Sequence, residues 1–248
     1  MATWTFSGYN NGRGAEVTFT YTAAFNPATN QTTVTITNCK SVFNTGGASS
    51  ACSLTGTLTV KAADNATSSG SANVSQSQSG KNITISTDVG QTITVSHGIG
   101  TSKQIILAFS GDINAAYYHS YPNESTTATV ANAVARSLSI SAGTGSSATV
   151  IRQSSPWVAT GSISNGATVY DGDVLKIDFS ASTGYNLSVR TVNGSTFTSG
   201  GTHTVSGNVT VVSRATVKSY TLTVNADSHA LVTVTRGEIG RASCRERV

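Results

Sequence analysis

Carboxylates are the side chains of this sequence best suited to acid–base or metal chemistry. They are sparse, and most adjoin turn-forming residues: Glu16, Asp64, Asp88, Asp112, Glu124, Asp171, Asp173, Asp178 and Asp227. Asp side chains cap their own backbone in tight turns, so we interpret these residues as turn residues rather than general acids or bases. Asp171-Gly-Asp173 is the one close pair, and it lacks the further Asp and the Glu of a calcium loop.

Histidines and cysteines do not form a recognisable metal or nucleophile motif. The histidines are His97, His119, His203 and His229, and their spacing matches no metal site. The sequence also lacks a Gly-x-Ser-x-Gly elbow, a phosphate loop and a dinucleotide fingerprint. We therefore predict no catalytic residue, no metal, no cofactor and no enzymatic activity. Cys39 and Cys52 could bridge, but we interpret them as half-buried thiols.

One group of aromatic residues could bind a ligand. Tyr117, Tyr118 and Tyr121 lie in a predicted loop after a strand at residues 105–109, and aromatic rings stack on sugars and anchor protein interfaces. Trp157, next to Pro156, is a weaker candidate of the same kind. The competing interpretation is that the tyrosines pack along an edge strand and that Trp157 plugs the end of its domain.

The elements that would position these residues are predicted to be strands. Charged residues make up 10% of the chain, and Ser, Thr, Asn and Gly take their place. Thr and Val pack well on a pleated surface and lose rotamer freedom in a helix. Apolar residues alternate with polar ones in many short runs, such as Val17, Phe19, Tyr21 and Leu175, Ile177, Phe179.

Turn-forming residues separate these runs: Asn26-Pro27, Asn44-Thr45-Gly46-Gly47, Ser79-Gly80-Lys81, Asp171-Gly172 and Asn193-Gly194. The fold class is therefore all-β, with an N-terminal antiparallel β-sandwich followed by a small β module. The net charge of +4 is scattered, which argues against nucleic-acid binding. No apolar run is long enough to cross a membrane, and the first residues contain no signal peptide.

An internal repeat divides the chain. The segment from Arg136 to Arg152 returns in altered form from Lys218 to Arg236. We predict a sandwich at 1–135, a complete β module at 136–218, and the first hairpin of a second module at 219–237. That hairpin, Tyr220 to Thr235, would expose an edge and an apolar face.

The last residues, 238–248, depart from the rest of the sequence. Their letters, EIGRASCRERV, are rich in charge and resemble a sequencing adapter translated in frame. We expect this segment to be an artefact and the natural protein to continue beyond Gly237.

Motifs in the predicted module resemble a divergent internalin-type B repeat. They are Gly166-Ala-Thr-Val-Tyr170, Gly172-Asp173, Leu175-Lys-Ile-Asp-Phe179, Gly184-Tyr185, Val192-Asn-Gly194 and Val209-Thr-Val-Val212. The resemblance implies a β-rich stalk module of the kind found in surface and phage proteins. Gly172 and Gly184 suit turns with positive φ, and the ring of Tyr185 can pack on a sheet.

The first 135 residues are similar to the N-terminal β domain of siphovirus minor tail proteins. The residues that carry the similarity are Asn30-Gln-Thr-Thr-Val34, His97-Gly-Ile-Gly100-Thr-Ser-Lys103 and the exit Ala135-Arg136-Ser137. The resemblances imply a virion protein that acts as a spacer and contacts the host surface.

We expect other virion tail proteins as partners, with a host glycan or protein as ligand and a homo-oligomer as a further option. Two alternatives stay open: a bacterial surface adhesin, and the non-catalytic part of a glycan or peptidoglycan hydrolase.

Overall fold

The computed structural model describes residues 1–225, 234–236 and 242–244. Every regular element in these residues is a β-strand, so the all-β prediction is confirmed. The described residues contain no helix long and apolar enough to cross a membrane.

The chain forms two compact units. The first consists of Met1–Val134 together with Ser155–Ala159, and the second consists of Ala135–Ser154 and the residues from Thr160 onward. Trp157 therefore belongs to the first unit, although the strands before and after it in sequence belong to the second. Membership of a repeat family stays a prediction for the second unit.

The first unit contains nine strands. They are β1 (Ala2–Asn10), β2 (Arg13–Asn26), β3 (Gln31–Asn44), β4 (Ser50–Ala62), β5 (Asn65–Gly80), β6 (Thr84–Ser96), β7 (Ser102–Ala115), β8 (Tyr118–Ser120) and β9 (Asn123–Asn132). Strand β7 is thus longer at both ends than the run at 105–109 that the sequence indicated.

These strands form an antiparallel β-sandwich, as predicted. One sheet has the order β1-β2-β3-β6; the other has the order β5-β4-β7, with β8 and β9 both paired to the far edge of β7. The inward-facing side chains of both sheets belong to one hydrophobic core. The alternation that predicted β2 is also the burial pattern, since Val17 and Phe19 are fully buried and Tyr21 nearly so.

Aromatic rings fill the centre of this core. Trp4, Phe6, Phe19 and Phe109 form ring contacts with centroid distances of 5.0–6.2 Å. Gly56 and Gly111 face each other across β4 and β7 beneath the Phe109 ring. A Cβ would lie 2.5 Å from Phe109 Cζ at Gly56 and 2.7 Å from it at Gly111. Both positions therefore need glycine so that the ring can approach the sheet.

The second unit contains two further sheets. Its strands are β10 (Ala135–Ala142), β11 (Ser146–Ser154), β12 (Gly161–Ile163), β13 (Thr168–Tyr170), β14 (Val174–Ala181), β15 (Tyr185–Val192), β16 (Ser195–Thr196), β17 (Gly201–Thr204) and β18 (Val209–Val217). The sheet orders are β13-β10-β18-β15-β16 and β12-β11-β14-β17. The first and last strands of the unit, β10 and β18, pair in parallel.

Turns in the second unit follow the expected glycine chemistry. Gly172 and Gly184 have φ of 90° and 85°, as predicted, and Asn193-Gly194 forms a turn with φ of 50° and 80°. The ring of Tyr185 packs against Gly145, in the turn between β10 and β11. The turn-forming groups at residues 26–27, 44–47, 79–81, 171–172 and 193–194 all lie where strands end, as predicted.

Two short strands follow the second unit's sheets. The backbones of β19 (Val234–Arg236) and β20 (Ala242–Cys244) pair in antiparallel fashion. Half of the predicted hairpin Tyr220 to Thr235 lies outside the described residues, as does most of the adapter-like segment 238–248. In the described part, residues 219–225 contain no strand, and Tyr220, Leu222 and Val224 are exposed.

Candidate functional site

The tyrosine cluster lies at the end of β7, on a tight turn. Ala115 pairs with Tyr118, so Ala116 and Tyr117 alone connect β7 to β8. Their φ angles are 54° and 68°, a conformation that Asn-Gly usually supplies in two-residue hairpins. Ala116 is buried, whereas Tyr117 is 87% exposed. The turn therefore presents the Tyr117 ring to solvent at a backbone cost.

A polar network surrounds this turn. The Asp112 carboxylate accepts a hydrogen bond from His119 Nδ1, with distances of 3.0 Å and 2.9 Å to its two oxygens. The Asn10 amide donates to the backbone carbonyl of His119 at 2.9 Å. Because Asn10 ends β1 and Asp112 lies within β7, the network draws on both sheets of the sandwich.

Some of the aromatic rings around this turn expose part of their surface to solvent. The rings of His119 and Tyr121 stack at 6.1 Å with an angle of 17°, and Tyr121 is 74% exposed. The Arg13 guanidinium lies 4.6 Å from the centroid of the Tyr118 ring. We call the group formed by Arg13, Asp112, Tyr117, Tyr118, His119 and Tyr121 the aromatic tip.

The sequence assigned the tip to a loop, and this is only partly right. Tyr117 is in the turn and Tyr121 follows β8, but Tyr118 and His119 belong to β8 itself. His119, Tyr121 and Asp112 can offer a ring face and a carboxylate to one ligand, whereas Tyr118 and Arg13 lie on the other face of β8, since successive side chains of a strand alternate. Aromatic faces combined with a few polar groups are typical of sites for sugars and for protein side chains.

Trp157 is not part of this surface. Its ring is buried and packs against Phe25 at 5.2 Å, and the Lys103 ammonium lies 5.6 Å from its centroid. Since no indole face is open to solvent, we leave Trp157 out of the candidate site.

A second group of polar residues lies buried in the first unit. His97 Nδ1 is 2.8 Å from Asp64 Oδ1, and His97 Nε2 is 2.8 Å from the Thr32 hydroxyl. Lys103 Nζ lies 3.7 Å from Asp64 Oδ2 and donates to the carbonyl of Gly98. Burial lowers the pKa of Lys103, while the Asp64 charge acts in the opposite direction. We call Thr32, Asp64, His97 and Lys103 the buried polar cluster.

The buried polar cluster resembles the hydroxyl–imidazole–carboxylate relay of nucleophilic enzymes, but its hydroxyl is closed to substrate. Thr32 and the side chains of His97 and Lys103 are all fully buried. A nucleophile must reach its substrate, so this group is not an active site of that class. Asn30 closes the cluster from one side by donating to the carbonyls of His97 and Gly98.

No family model, curated protein or solved structure matches the chain.

The buried polar cluster brings together residues of two motifs that lie far apart in the sequence. Asn30 and Thr32 come from one motif, and His97 and Lys103 come from the other. The fold joins them at Asp64, in the turn between β4 and β5. Sequence reasoning missed this convergence because it treated Asp64 as a turn residue.

The other carboxylates mostly pair with cations rather than with one another. Asp171 binds Arg136, Asp178 lies near Lys176, and the buried Asp173 binds Arg152 at 2.8 Å. The turn interpretation is wrong for the carboxylates that lie within strands, which are Glu16, Asp88, Asp112, Glu124 and Asp178. It holds for Asp64, Asp171 and Asp173, and Asp173 also accepts a hydrogen bond from the Tyr170 amide, while Asp227 lies outside the described residues. Among the described residues no three His, Cys, Asp or Glu side chains gather as metal ligands.

The two early cysteines are free thiols inside the sandwich. Cys39 and Cys52 are almost fully buried rather than half-buried, and they are not bridged. Burial raises the pKa of Cys39 to about 12, which keeps it a thiol at neutral pH. Neither residue is a candidate nucleophile.

Proposed function

We propose that this chain is a non-enzymatic, tail-associated virion protein that acts as a spacer and contacts the host surface through its aromatic tip. The observation that carries the proposal is the exposure of Tyr117 and Tyr121, at 87% and 74%, beside the Asp112–His119 pair. Large aromatic rings are normally buried, and exposed ones beside oriented polar groups mark binding surfaces. The virion part of the proposal is supported only by the resemblance of the sequence motifs to those of siphovirus minor tail proteins.

The chemistry of the tip favours a surface glycan as the ligand. Sugar rings present apolar C–H faces that stack on aromatic rings, and the nearly parallel rings of His119 and Tyr121 form such a face. The Asp112 carboxylate beside this face can accept hydrogen bonds from the hydroxyl groups at the edge of a sugar. Affinity for one sugar would be weak, and several copies on one particle would multiply it.

A binding assay with the full chain tests the surface-contact proposal. Purified protein is titrated on immobilised peptidoglycan, teichoic acid, lipopolysaccharide and intact bacterial cells. The double variant Tyr117→Ala/Tyr121→Ala should lose at least about tenfold in affinity, because two stacking faces are removed. Tyr220→Ala is the matched control, since Tyr220 is 81% exposed but lies in the second unit, and it should bind like the parent.

Two outcomes would contradict the surface-contact proposal. One is unchanged binding of the double variant, and the other is the absence of binding to every one of these surfaces. The virion assignment has a separate test, in which peptides of the chain are sought in density-purified phage particles and in bacterial envelope fractions. Peptides found only in the envelope would favour the surface adhesin instead.

A further inference from the structure

The buried polar cluster contains the reactants for a covalent bond. We propose that the side chains of Lys103 and Asp64 condense to an intramolecular amide that joins the start of β7 to the turn between β4 and β5. The amine and the carboxyl group are 3.7 Å apart, measured from Nζ to Oδ2. Reacting groups that a fold holds side by side react as if at very high concentration once the attacking atom comes within about 3–3.5 Å of its target.

Burial makes the ion pair costly and the amide favourable. The side chain of Lys103 is fully buried and that of Asp64 is 24% exposed. Desolvation destabilises the two charges of the ion pair in such surroundings, and this penalty is absent when the two groups form a neutral amide. The surrounding Trp157 ring excludes water from the amine side, which also disfavours hydrolysis of the product.

A buried lysine is also a better nucleophile than an exposed one. Burial lowers the pKa of Lys103, so the neutral amine is more accessible than in water. Desolvation is a general route by which proteins activate lysine for attack on a carbonyl carbon.

His97 is placed to move the proton that the reaction requires. Its Nδ1 contacts Asp64 Oδ1, on the oxygen opposite the one that faces Lys103, and its Nε2 contacts Thr32. Imidazole contacts on both nitrogens hold the ring in one orientation. His97 can therefore donate to the carboxyl oxygen that leaves, and recover a proton afterwards.

The reaction balances without an oxidant or a co-reactant. A proton passes from the Lys103 ammonium to the Asp64 carboxylate, which leaves a neutral amine and a carboxylic acid. The nitrogen lone pair attacks Cγ of Asp64 and forms the new C–N bond. One further proton moves from nitrogen to the departing hydroxyl, the C–O bond breaks, and one water molecule leaves.

High-resolution mass spectrometry of the denatured full chain tests the amide directly. The mass should be lower than the sequence mass by one water molecule, and trypsin should yield a branched peptide that joins Asp64 to Lys103. In Lys103→Arg the loss of water should vanish, because a guanidinium does not form this bond. Lys61→Arg is the matched control on the neighbouring strand β4, and it should retain the loss.

Several results would overturn the proposal. A parent chain that keeps its full sequence mass after prolonged incubation excludes the amide, whatever the variants do. Loss of water that persists in Lys103→Arg would come from cyclisation at an aspartate. Loss of ammonia together with a branched peptide that joins Lys103 to Asn30, whose amide also contacts the carbonyl of Gly98, would identify Asn30 as the partner of Lys103. His97→Ala should form the bond more slowly, and an unchanged rate would remove His97 from the mechanism.

Discussion

Replacing Tyr117 by glycine should stabilise the first unit while it weakens binding. Tyr117 has a φ of 68°, and this left-handed conformation raises the free energy of the folded state by about 1–2 kcal/mol for a non-glycine residue. Glycine removes this penalty, but its greater backbone freedom in the unfolded chain lowers the free energy of unfolding by about 0.5–1 kcal/mol. The ring is 87% exposed, so its removal sacrifices little buried area. The net gain in the free energy of unfolding should be about 0.5–1 kcal/mol.

Thermal unfolding followed by circular dichroism measures this effect. For a unit of this size the midpoint should rise by roughly 1–4 °C. Tyr121→Gly is the matched control, because Tyr121 is also exposed but is not among the residues with positive φ. This control should lose stability by about 0.5–1 kcal/mol. If Tyr117→Gly proves no more stable than Tyr121→Gly, the turn does not carry the strain that we infer.

Two other substitutions probe the cores of the two units. Gly56→Ala should lower the free energy of unfolding in urea by about 1–3 kcal/mol, because the new methyl group would lie 2.5 Å from the Phe109 ring. Gly207→Ala is the control and should be nearly neutral, because the space around Gly207 is open. Equal losses in the two variants would contradict the packing argument. Arg152→Met should cost the second unit about 3–5 kcal/mol by leaving the Asp173 carboxylate buried without its cation. A loss below about 1 kcal/mol would contradict the inference that the buried Asp173 carboxylate depends on Arg152.

Alternation and turn chemistry made the strands predictable. Val17, Phe19 and Tyr21 alternate in the sequence and point into the core in the structure. Asn193-Gly194 has the residue types that a tight hairpin requires, and it forms one. These signals are local, so a single sequence contains them.

The turn at the aromatic tip carried no such signal. Ala116 and Tyr117 are poor candidates for positive φ, and the sequence indicated a loop of unspecified shape. The surrounding pairing of β7 with β4 and β8 holds the chain in this conformation. Tertiary structure therefore overrides local preference at the place where the candidate ligand would bind.

The buried polar cluster was unpredictable for a different reason. Asp64 lies in the turn between β4 and β5, while His97 and Lys103 lie at the two ends of the connection between β6 and β7, and each residue alone fits a simpler interpretation. The burial of Trp157 is likewise a long-range effect, since the turn at Pro156 says nothing about which unit covers the ring. Convergence of this kind depends on topology, which local sequence patterns do not specify.

Strand β7 connects the two sites of the first unit. It begins beside Lys103 and ends at the aromatic tip, and it pairs with β4 at every position from Ala62↔Ile105 to Cys52↔Ala115. A tip attached to a host surface would be pulled along this strand, and the load would shear the hydrogen bonds between β4 and β7. Hydrogen bonds contribute only about 0.5–1.5 kcal/mol each, so the resistance of β7 to shear depends on many weak bonds that are loaded together.

An amide between Lys103 and Asp64 would anchor β7 at the end opposite to the pull. The start of the strand would then stay joined to the turn between β4 and β5 even after the hydrogen bonds along β7 had broken, so attachment would no longer depend on those hydrogen bonds alone. This reasoning predicts that single-molecule extension through the tip separates the parent from Lys103→Arg, with the parent resisting higher force. Equal unfolding forces would show that β7 does not transmit the load, even if the amide forms.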